Sequence, residues 1–414
     1  MNEKLKQFSQ ENLEPEWLSN RRQEAFSAFE TLEIPYIERV KFDRWKLDNL
    51  ELVKSDENPS VPSFDEIPNH PLLVQVGSNT VLEQITPDLD AKGVIFTDFH
   101  NALNEIPDVL EKYFGTAIKF DEDRLTAGNT AFFSSALVLY VPDNVEIDAP
   151  IESILQTDDK NFVKRVLIIV GRNSKVNYLE RLQSSSDEKI VANLAVEVIA
   201  LEGSQVKFSA IDQLGQNVNA FVSRRGLLYD NATIDWALGV MNDGNIVADF
   251  DSDLVGNGSH SEIKAVGISM GKQVQGIDTR VTNFGRNSVG HILQHGVILE
   301  KGTLTFNGIG HIKKGAKGAD AQQESRVLML SDTARSDANP ILLIDENDVT
   351  AGHAASIGQV DPEDMYYLMS RGIDEDTAKR LVIRGFLGSV VSAIPVKSVR
   401  DEFVATIERK LDVK

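Results

Sequence analysis

Short β-rich runs separated by polar turns recur through the middle of the chain, and this repeat most constrains the fold. The turns begin at Pro142, Gly171, Glu202, Asp230, Gly256, Gly285, Lys301 and Ser331. The steps between them are 29, 31, 28, 26, 29, 16 and 30 residues, so all but one lie near a period of thirty. Such a period is typical of a solenoid, in which stacked coils bury a core that no coil can bury alone.

The repeat predicts a mainly β fold whose core is a right-handed parallel β-helix. Stacking places equivalent strands side by side in parallel, and parallel crossovers are right-handed in most proteins. A β-sandwich is the alternative, because its strands are also short and its turns regular. Sandwich turns usually recur every 8–12 residues or so, about a third of the spacing seen here, and the longer steps favour the solenoid.

Helical patterns flank this core. The stretch "EPEWLSNRRQEAFSAFETLEIP" places Leu18, Ala25 and Phe29 on one face of a helix. The polar segment from Ser55 to Pro71 has the composition of a linker. The predicted regions are an N-terminal helical and mixed region with a linker (1–115), the β-helix core (116–348) and a C-terminal helical domain (349–414).

The last part of the chain predicts three short helices. The first, "DPEDMYYLMSRG", has Asp361 as a candidate N-cap, Pro362 at the first helical position and Gly372 at C′. The second and third are "DEDTAKRLVIRGFLGSVVSAIP", with Ala378 and Leu381 on its apolar face, and "VRDEFVATIERKLDVK". These helices could cover an open edge of the solenoid or present an apolar stripe to a partner.

Composition narrows the range of functions. The 414 residues include 63 acids and 42 bases, a net charge of −21. This charge argues against a nucleic-acid groove and against binding to an anionic membrane surface, since both need cations. The chain has no cysteine, so it offers no disulfide and no thiolate. It has no apolar leader and no run of about 20 apolar residues, and we expect a cytoplasmic protein.

The sequence predicts neither a nucleotide-binding loop nor a metal site formed by paired histidines. The phosphate-binding loop G-x-x-x-x-G-K-[ST] does not occur, so we expect no ATP hydrolysis by that route. His291 and His295 stand four apart in a strand-like run. That spacing separates them by roughly 13 Å, too far for two ligands of one ion.

Three aspartates, Asp249, Asp251 and Asp253, alternate along a strand-like run before His260. Neighbouring members of such a row lie roughly 7 Å apart. We therefore interpret the row as a solvated acidic stripe rather than as a cation site.

The stretch "DVTAGHAASIGQVD" holds one histidine, His353, among glycine and alanine residues. From the residues alone the imidazole could be a base, a metal ligand or a polar side chain that fills a turn. Structural use in a turn between the last coil and the helices is the simplest interpretation.

Three ordered stretches resemble the SufB/SufD family of iron–sulfur cluster assembly proteins. They are "EPEWLSNRRQEAFSAFETLEIP", "NTAFFSSALVLYVPDNVEIDAPI" and "VLMLSDTARSDANPILLIDENDVTAGHAASIGQVDPEDMYYLMSRGI". The resemblance implies the same three regions as the repeat analysis. The chain resembles SufD more than SufB, because a SufB without cysteine would lose its proposed cluster ligand.

The resemblance implies a scaffold subunit of the SUF machinery rather than an enzyme. The C-terminal helices would bind the SufC ABC-type ATPase, and the β-helix would pair with the paralogue SufB, or with a second copy in a homodimer. No cofactor would be tightly bound by the isolated chain. A transient iron–sulfur cluster would form at the interface between the subunits.

The resemblance also implies site residues. The family's cluster-associated histidine falls on His353, and Ala351 stands where many SufD sequences have a cysteine. Any thiolate would have to come from the partner. Candidate ATPase-docking residues are Met365, Tyr366, Leu368, Met369, Arg371, Gly372 and Ile373. The apolar ones could equally pack within the helical domain.

A rival function is a β-helix carbohydrate-active enzyme, a lyase or hydrolase that acts through carboxylates. The sequence shows no acid cluster opposed by arginine or lysine. It does not reveal which carboxylates meet in space, so this alternative stays open.

Overall fold

The computed structural model describes residues 2–54, 69–157, 161–184, 188–392 and 397–411, so most of the predicted linker lies outside the described residues. The described helices are α1 (Asn2–Glu11), α2 (Glu16–Thr31), α3 (Pro87–Ala91), α4 (Phe99–Glu105), α5 (Pro107–Tyr113), α6 (Arg124–Phe132), α7 (Pro362–Ser370), α8 (Glu375–Val391) and α9 (Lys397–Leu411). The described strands are β1 (Leu72–Val76), β2 (Asn79–Gln84), β3 (Ile95–Asp98), β4 (Ser135–Val141), β5 (Ile151–Thr157), β6 (Asn161–Val170), β7 (Lys175–Ser184), β8 (Ile190–Ala200), β9 (Gln205–Gln213), β10 (Val218–Leu228), β11 (Thr233–Val240), β12 (Asn245–Leu254), β13 (His260–Ser269), β14 (Val274–Asn283), β15 (Val289–Ile298), β16 (Thr303–Ile312), β17 (Asp320–Met329), β18 (Arg335–Ile344) and β19 (Thr350–Gln359).

The strands form two sheets, and each coil of the chain gives one strand to each. Sheet one has the order β19-β17-β15-β13-β11-β9-β7-β5-β1-β2, and sheet two has the order β18-β16-β14-β12-β10-β8-β6-β4-β3. Neighbouring coils pair in parallel, as β10 does with β8 and β12. Strands β2 and β3 add antiparallel neighbours at the N-terminal end. The predicted mainly β, parallel solenoid with flanking helices is confirmed.

At one corner of each coil the chain passes from sheet two to sheet one. A residue with left-handed backbone conformation recurs at this corner. Its φ lies between 53° and 75°, a region that asparagine and glycine tolerate best. The residues are Asn144, Asn173, Gly203, Asn231, Gly258, Asn287 and Gly318. Each donates its backbone N–H to a turn carbonyl of the next coil, as Asn173 does to Glu202 at 2.9 Å. The irregular step of 16 residues arises because Lys301 and Ser331 lie at the opposite corner.

The inward side chains of successive coils form one continuous apolar core. On sheet one, Tyr178, Phe208 and Trp236 stand in register on β7, β9 and β11. Their ring centroids are 5.2 and 4.7 Å apart, within the range of favourable aromatic pairs. Stacking of equivalent side chains in this way fixes which residues of each strand face inward.

The N-terminal region covers part of the outer face of sheet two. The predicted helix is present as α2, with Leu18 and Ala25 buried. The chain after α2 is irregular, and Ile37 and Val40 belong to an apolar cluster with Phe221 of β10. This segment leaves less of sheet two open to solvent than a bare solenoid would.

Two members of the acidic row on β12, Asp249 and Asp251, are ion-paired, so the row is not the solvated stripe we expected. Asp251 is buried, and its carboxylate lies 3.0 Å from the guanidinium of Arg225. The same guanidinium lies 3.5 Å from the carboxylate of Asp249. Asp278 stands beside Asp249 in register on β14. Burial, opposed by a hydrogen bond from Asn307, raises the pKa of the Asp278 carboxyl to about 6.

The three predicted C-terminal helices are present, and two of them pack on the outer face of sheet one. Ile383 of α8 and Phe403 of α9 are buried in an apolar cluster with strand residues of that sheet. A methyl group at Gly239 would lie 2.1 Å from the Phe403 ring, so glycine is required there. Ala378 is buried as expected, but Leu381 is 44% exposed because the helix turns that position away from the sheet.

Replacement of Asp278 by Asn should change how stability depends on pH. The folded-state pKa of about 6 exceeds the unfolded value near 3.9, so the folded protein is penalised at high pH, and the penalty fades as pH falls through 6. We expect Asp278→Asn to raise the free energy of unfolding by about 2 kcal/mol at pH 8 and by much less near pH 4.5. Urea unfolding of the variant and the unmodified protein at both pH values measures the difference. Asp121→Asn, at an exposed position, is the control. An equal effect of Asp278→Asn at both pH values would contradict the prediction.

Truncation of a buried and of an exposed aromatic residue in the C-terminal helices should have very different effects on stability. Phe403 is fully buried against Gly239, so Phe403→Ala should cost about 3–4 kcal/mol of unfolding free energy. Tyr366 on α7 is 76% exposed, and Tyr366→Ala should change stability by less than about 0.5 kcal/mol. Chemical denaturation of both variants tests this contrast, and a large loss for Tyr366→Ala would mean that α7 packs within the fold.

Candidate functional site

The C-terminal end of the solenoid leaves two strand edges open. β18 is the last strand of sheet two and β19 is the last strand of sheet one. Each has ten residues, and within the described residues each pairs on one side only, β18 with β16 and β19 with β17. Unpaired N–H and C=O groups along an edge strand are a template for pairing with another strand.

His353 lies within β19 and not in the turn that we expected between the solenoid and the helices. The run of small residues around it carries little strand signal, and β17 imposes the extended conformation by pairing in parallel along all ten residues. The domain boundaries stay predictions, although β19 adds a strand on the C-terminal side of residue 348.

The register places His353 in an inward row of sheet one. Its partner on β17 is Gln323, which pairs with Ile292 of β15, and that strand continues the row to Ile263 and Trp236. Gln323, Ile292, Ile263 and Trp236 are all buried. His353 is exposed because no further coil covers it. It is therefore the last side chain of a row that elsewhere builds the core.

Apolar side chains surround this open end. Ile357 of β19 is 43% exposed and stands in register with the buried Val327. Ile344 of β18 is 45% exposed and stands in register with the buried Ile312. Both positions face inward in the preceding coil, so they are core positions without a covering layer. Large apolar residues exposed in a contiguous region mark an interaction surface.

Helix α7 follows β19 after two residues and presents a second exposed surface. Tyr366, Tyr367 and Met369 are 76%, 58% and 44% exposed, and none of the residues of α7 is buried. Tyr366 and Met369 are predicted docking residues, whereas Tyr367 is not among those predicted from the sequence. Of the other predicted residues, Met365, Leu368 and Ile373 are half-buried, and Arg371 and Gly372 are exposed. The predicted docking residues therefore lie within one short segment, residues 365–373, which has aromatic and methionine side chains on its outside.

The ends of α7 are well defined. The Asp361 carboxylate accepts the backbone N–H of Glu363 at 2.8 Å, as an N-cap does. Gly372 has φ +88° and ends the helix, its N–H donating to the carbonyl of Met369 at 3.0 Å. Arg371 lies with its guanidinium carbon 5.2 Å from the Tyr367 ring centroid. The segment is thus a short, capped helix with a stacked arginine at its end.

Residues that link the helices to the solenoid were not found from the sequence. His295 of β15 is buried under α8, with Nδ1 2.8 Å from the carbonyl oxygen of Phe386 and the two rings stacked 4.8 Å apart. Arg181 of β7 contacts both Glu402 of α9 and Glu152 of β5. A lone histidine or arginine on a strand gives no sign of which helix it will meet.

The remaining candidate sites do not gather into reactive centres. His291 lies 3.5 Å from Asp320, while His295 is engaged by α8. No group of three or more His, Asp or Glu suited to a metal ion occurs within the described residues. A G-x-S-x-G sequence ends at Gly271, but Ser269 is buried at the end of a strand and donates to the carbonyl of Thr303 at 3.0 Å, unlike an exposed nucleophile.

Over the described residues, no helix is long and apolar enough to span a bilayer.

Comparison with known proteins gives consistent matches along the chain. The family model "SUF system FeS cluster assembly, SufBD core domain" matches residues 153–386, and the model "SufBD protein N-terminal region" matches residues 71–153. The chain is 41% identical over 425 residues to the iron–sulfur cluster assembly protein SufD of Bacillus subtilis, covering 99% of this chain and 97% of that protein. SufBD family proteins of Staphylococcus saprophyticus and Staphylococcus haemolyticus are each 25% identical over 419 residues, covering 95% of this chain and 89% of theirs. The chain therefore belongs to the SufBD family of iron–sulfur cluster assembly proteins.

Proposed function

We propose that the chain is a scaffold subunit of the SUF iron–sulfur cluster assembly machinery, acting in the cytoplasm and without catalysis of its own. One observation carries the proposal: the last strand of the solenoid holds His353 on an open edge and continues directly into the exposed helix α7. A subunit built in this way offers a strand edge, an imidazole and a helix surface side by side.

The open end would pair with a SufB-like paralogue, or with a second copy of this chain when it is isolated. Two edge strands of ten residues each leave one side of their backbone without a strand partner. Ile344 and Ile357 add apolar side chains at core-like positions. Strand addition at such an edge satisfies the backbone and lets the side chains select the partner.

His353 would contribute one nitrogen ligand to a transient cluster, which is the cargo of the complex and is not a resident cofactor of this chain. A neutral imidazole nitrogen is a good ligand for iron. The chain has no cysteine, so every thiolate at such a site would come from the partner. Pairing would then bury the ligand and complete the ligand set in one event.

Helix α7 and its C-terminal turn would bind a SufC-like ABC-type ATPase. Tyr366, Tyr367 and Met369 are exposed, and aromatic and methionine side chains are enriched at protein interfaces. Because β19 and α7 are consecutive, a displacement of the helix by the ATPase would act on the strand that carries His353. Such coupling would be a free-energy link between two binding sites.

The carbohydrate-active alternative finds less support in the arrangement of carboxylates. Glycan cleavage uses two carboxyl groups that flank an open substrate groove. Asp249 and Asp251 on β12 are instead paired with Arg225, and Asp251 is buried. We therefore favour the scaffold.

ATPase binding should depend on the exposed face of α7. We expect the double variant Tyr366→Ala, Met369→Ala to bind a SufC-like ATPase at least tenfold more weakly in a pull-down or by calorimetry, because interface aromatic residues carry much of the binding energy. Leu381→Ala is a matched control, since Leu381 and Met369 are both 44% exposed but Leu381 lies on α8. Full binding by the double variant would refute docking at α7.

Cluster formation should depend on His353. In a complex reconstituted with the paralogue and the ATPase, His353→Ala should lower the iron and acid-labile sulfide bound per complex by about tenfold or more, through loss of a ligand. The complex itself should still assemble, because the backbone edge of β19 is unchanged. An unaltered cluster yield would reject the ligand role.

Two control variants separate pairing from ligation. Ile357→Lys places a charge at a core-like position of the open end, so it should weaken pairing in size-exclusion chromatography and lower cluster yield as a consequence. His260→Ala removes a histidine from the first residue of β13, away from the open end, and should change neither pairing nor cluster yield.

A further inference from the structure

The open end presents two strand edges, and one of them contains a proline. Pro340 lies near the centre of β18, the last strand of sheet two. None of the other described strands contains a proline. Within sheets, proline is confined almost entirely to edge strands, because it has no N–H to give to a ladder. Its position in β18 therefore affects how a partner can pair with this edge.

The backbone groups of β18 point alternately to β16 and to the open side. Arg335 donates its N–H to the carbonyl of Gly302 at 3.0 Å, and Asp345 donates to the carbonyl of Ile312 at 2.9 Å. The ten-residue register between β18 and β16 is unbroken, so the odd-numbered residues face β16 and the even-numbered residues face outward. Pro340 therefore stands at an outward-facing position.

At the matching position of earlier coils, the backbone N–H faces the next strand. Pro340 is in register with Gly308 of β16, which is in register with Thr279 of β14 and, one coil further, with Phe250 of β12. Each of those three residues has an N–H that the following coil can bind. In the last coil Pro340 removes this donor, so the outward edge of β18 has four N–H groups with a gap in the middle.

The edge of β19 is complete. Thr350 donates its N–H to the carbonyl of Ala319 at 2.9 Å, and the register with β17 holds over all ten residues. The odd-numbered residues of β19 therefore face outward, and none of them is proline. They are Ala351, His353, Ala355, Ile357 and Gln359. A strand added here would meet five donors in an unbroken row.

A single partner coil would meet both edges at once. β18 and β19 are consecutive strands of the last coil, and the exposed Ile344 and Ile357 occupy core-like positions that a further coil would cover. The end coil of another solenoid has the matching pair of edges. A second copy of this chain would bring a second Pro340 to the contact. Self-pairing therefore loses this edge donor from both subunits, whereas in a pair with a paralogue this chain's missing donor counts once.

We infer that the partner's strand adds along β19, and that Pro340 weakens β18 as an edge and thereby disfavours a second copy as the partner. The favoured occupant is the end coil of the SufB-like paralogue. This inference rests on the proposed function and adds to it the strand that is paired and the residue that discriminates between partners. Specific interfaces commonly use an unfavourable element against the wrong partner, and proline on an edge strand is one such element.

Moving a proline to each edge in turn tests which strand is paired. Ala355 of β19 and Ala338 of β18 are both at outward-facing positions, so proline at either site removes one edge N–H and leaves pairing with the preceding coil intact. Ala355→Pro should weaken binding of the full-length chain to the paralogue by about tenfold or more in calorimetry, and the matched control Ala338→Pro by less than about threefold. An equal or larger loss for Ala338→Pro would overturn the assignment of β19.

Hydrogen exchange of the unmodified chain tests the same point without a substitution. On binding of the paralogue, the amide N–H groups of Ala351, Ala355 and Ile357 should exchange more slowly by about tenfold or more, and those of Ala338 and Leu342 by much less. Protection of β18 equal to that of β19 would overturn the assignment.

Replacement of Pro340 tests discrimination between partners. Pro340→Ala restores one donor per chain, so it should strengthen pairing with the paralogue about fivefold, and self-association, which gains two donors, about 25-fold. Calorimetry with the paralogue and sedimentation equilibrium of the chain alone measure the two affinities. Pro142→Ala, in the turn after β4, is the control and should change neither. Self-association that gains no more than paralogue binding would overturn the role of Pro340.

Failure of this inference is distinguishable from failure of the proposed function. If the unmodified chain pairs neither with the paralogue nor with itself, pairing at the open end fails and this inference fails with it. If the paralogue binds and cluster yield depends on His353, but Ala355→Pro binds the paralogue as tightly as the unmodified chain, the proposed function stands and only the choice of edge fails.

Discussion

Each coil of the solenoid satisfies its backbone and buries its inward side chains only against the next coil. The corner residues show this dependence most simply, since Asn173, Asn231 and Asn287 each donate a backbone N–H to a turn in the following coil. A stack with this requirement must end somewhere, and its last coil carries both an unpaired edge and an uncovered row of core positions. The N-terminal end is closed by the antiparallel strands β2 and β3. Among the residues that the structure describes, the C-terminal end of the stack, at β18 and β19, has no equivalent strands.

The C-terminal helices divide into an anchored part and a free part. Helices α8 and α9 are fixed to sheet one, by the Phe403 ring against Gly239, by His295 under Phe386, and by Lys410, whose Nζ lies 2.6 Å from Asp243. Within the described part of the chain, no buried side chain of α7 anchors that helix to the sheet. A partner that binds α7 therefore meets a segment that is held at one end by β19 and at the other by α8. Displacement of that segment would reach the open end of the solenoid through consecutive backbone.

Much of the fold follows from local pattern. The period near thirty reflects one coil with two corners, and the helices at both ends follow from apolar periodicity. The errors occur where a neighbour overrides the pattern. His353 is in a strand because β17 imposes the extended conformation on small residues. Leu381 is exposed although it fits the apolar face of a helix, since only the side of α8 next to sheet one is buried. Asp251 of the acidic row on β12 is ion-paired because Arg225 on the neighbouring strand stands in register with it.

The sequence by itself determined the class of fold, the absence of any thiolate ligand, and the histidine and helix that make the best candidates for function. Those properties depend on residue identity and spacing along the chain. Only the tertiary structure decided that His353 ends a buried row and that α7 is exposed. The position of His353 in that row depends on register between strands that are about thirty residues apart, and register is set by the pairing of whole coils rather than by any local stretch.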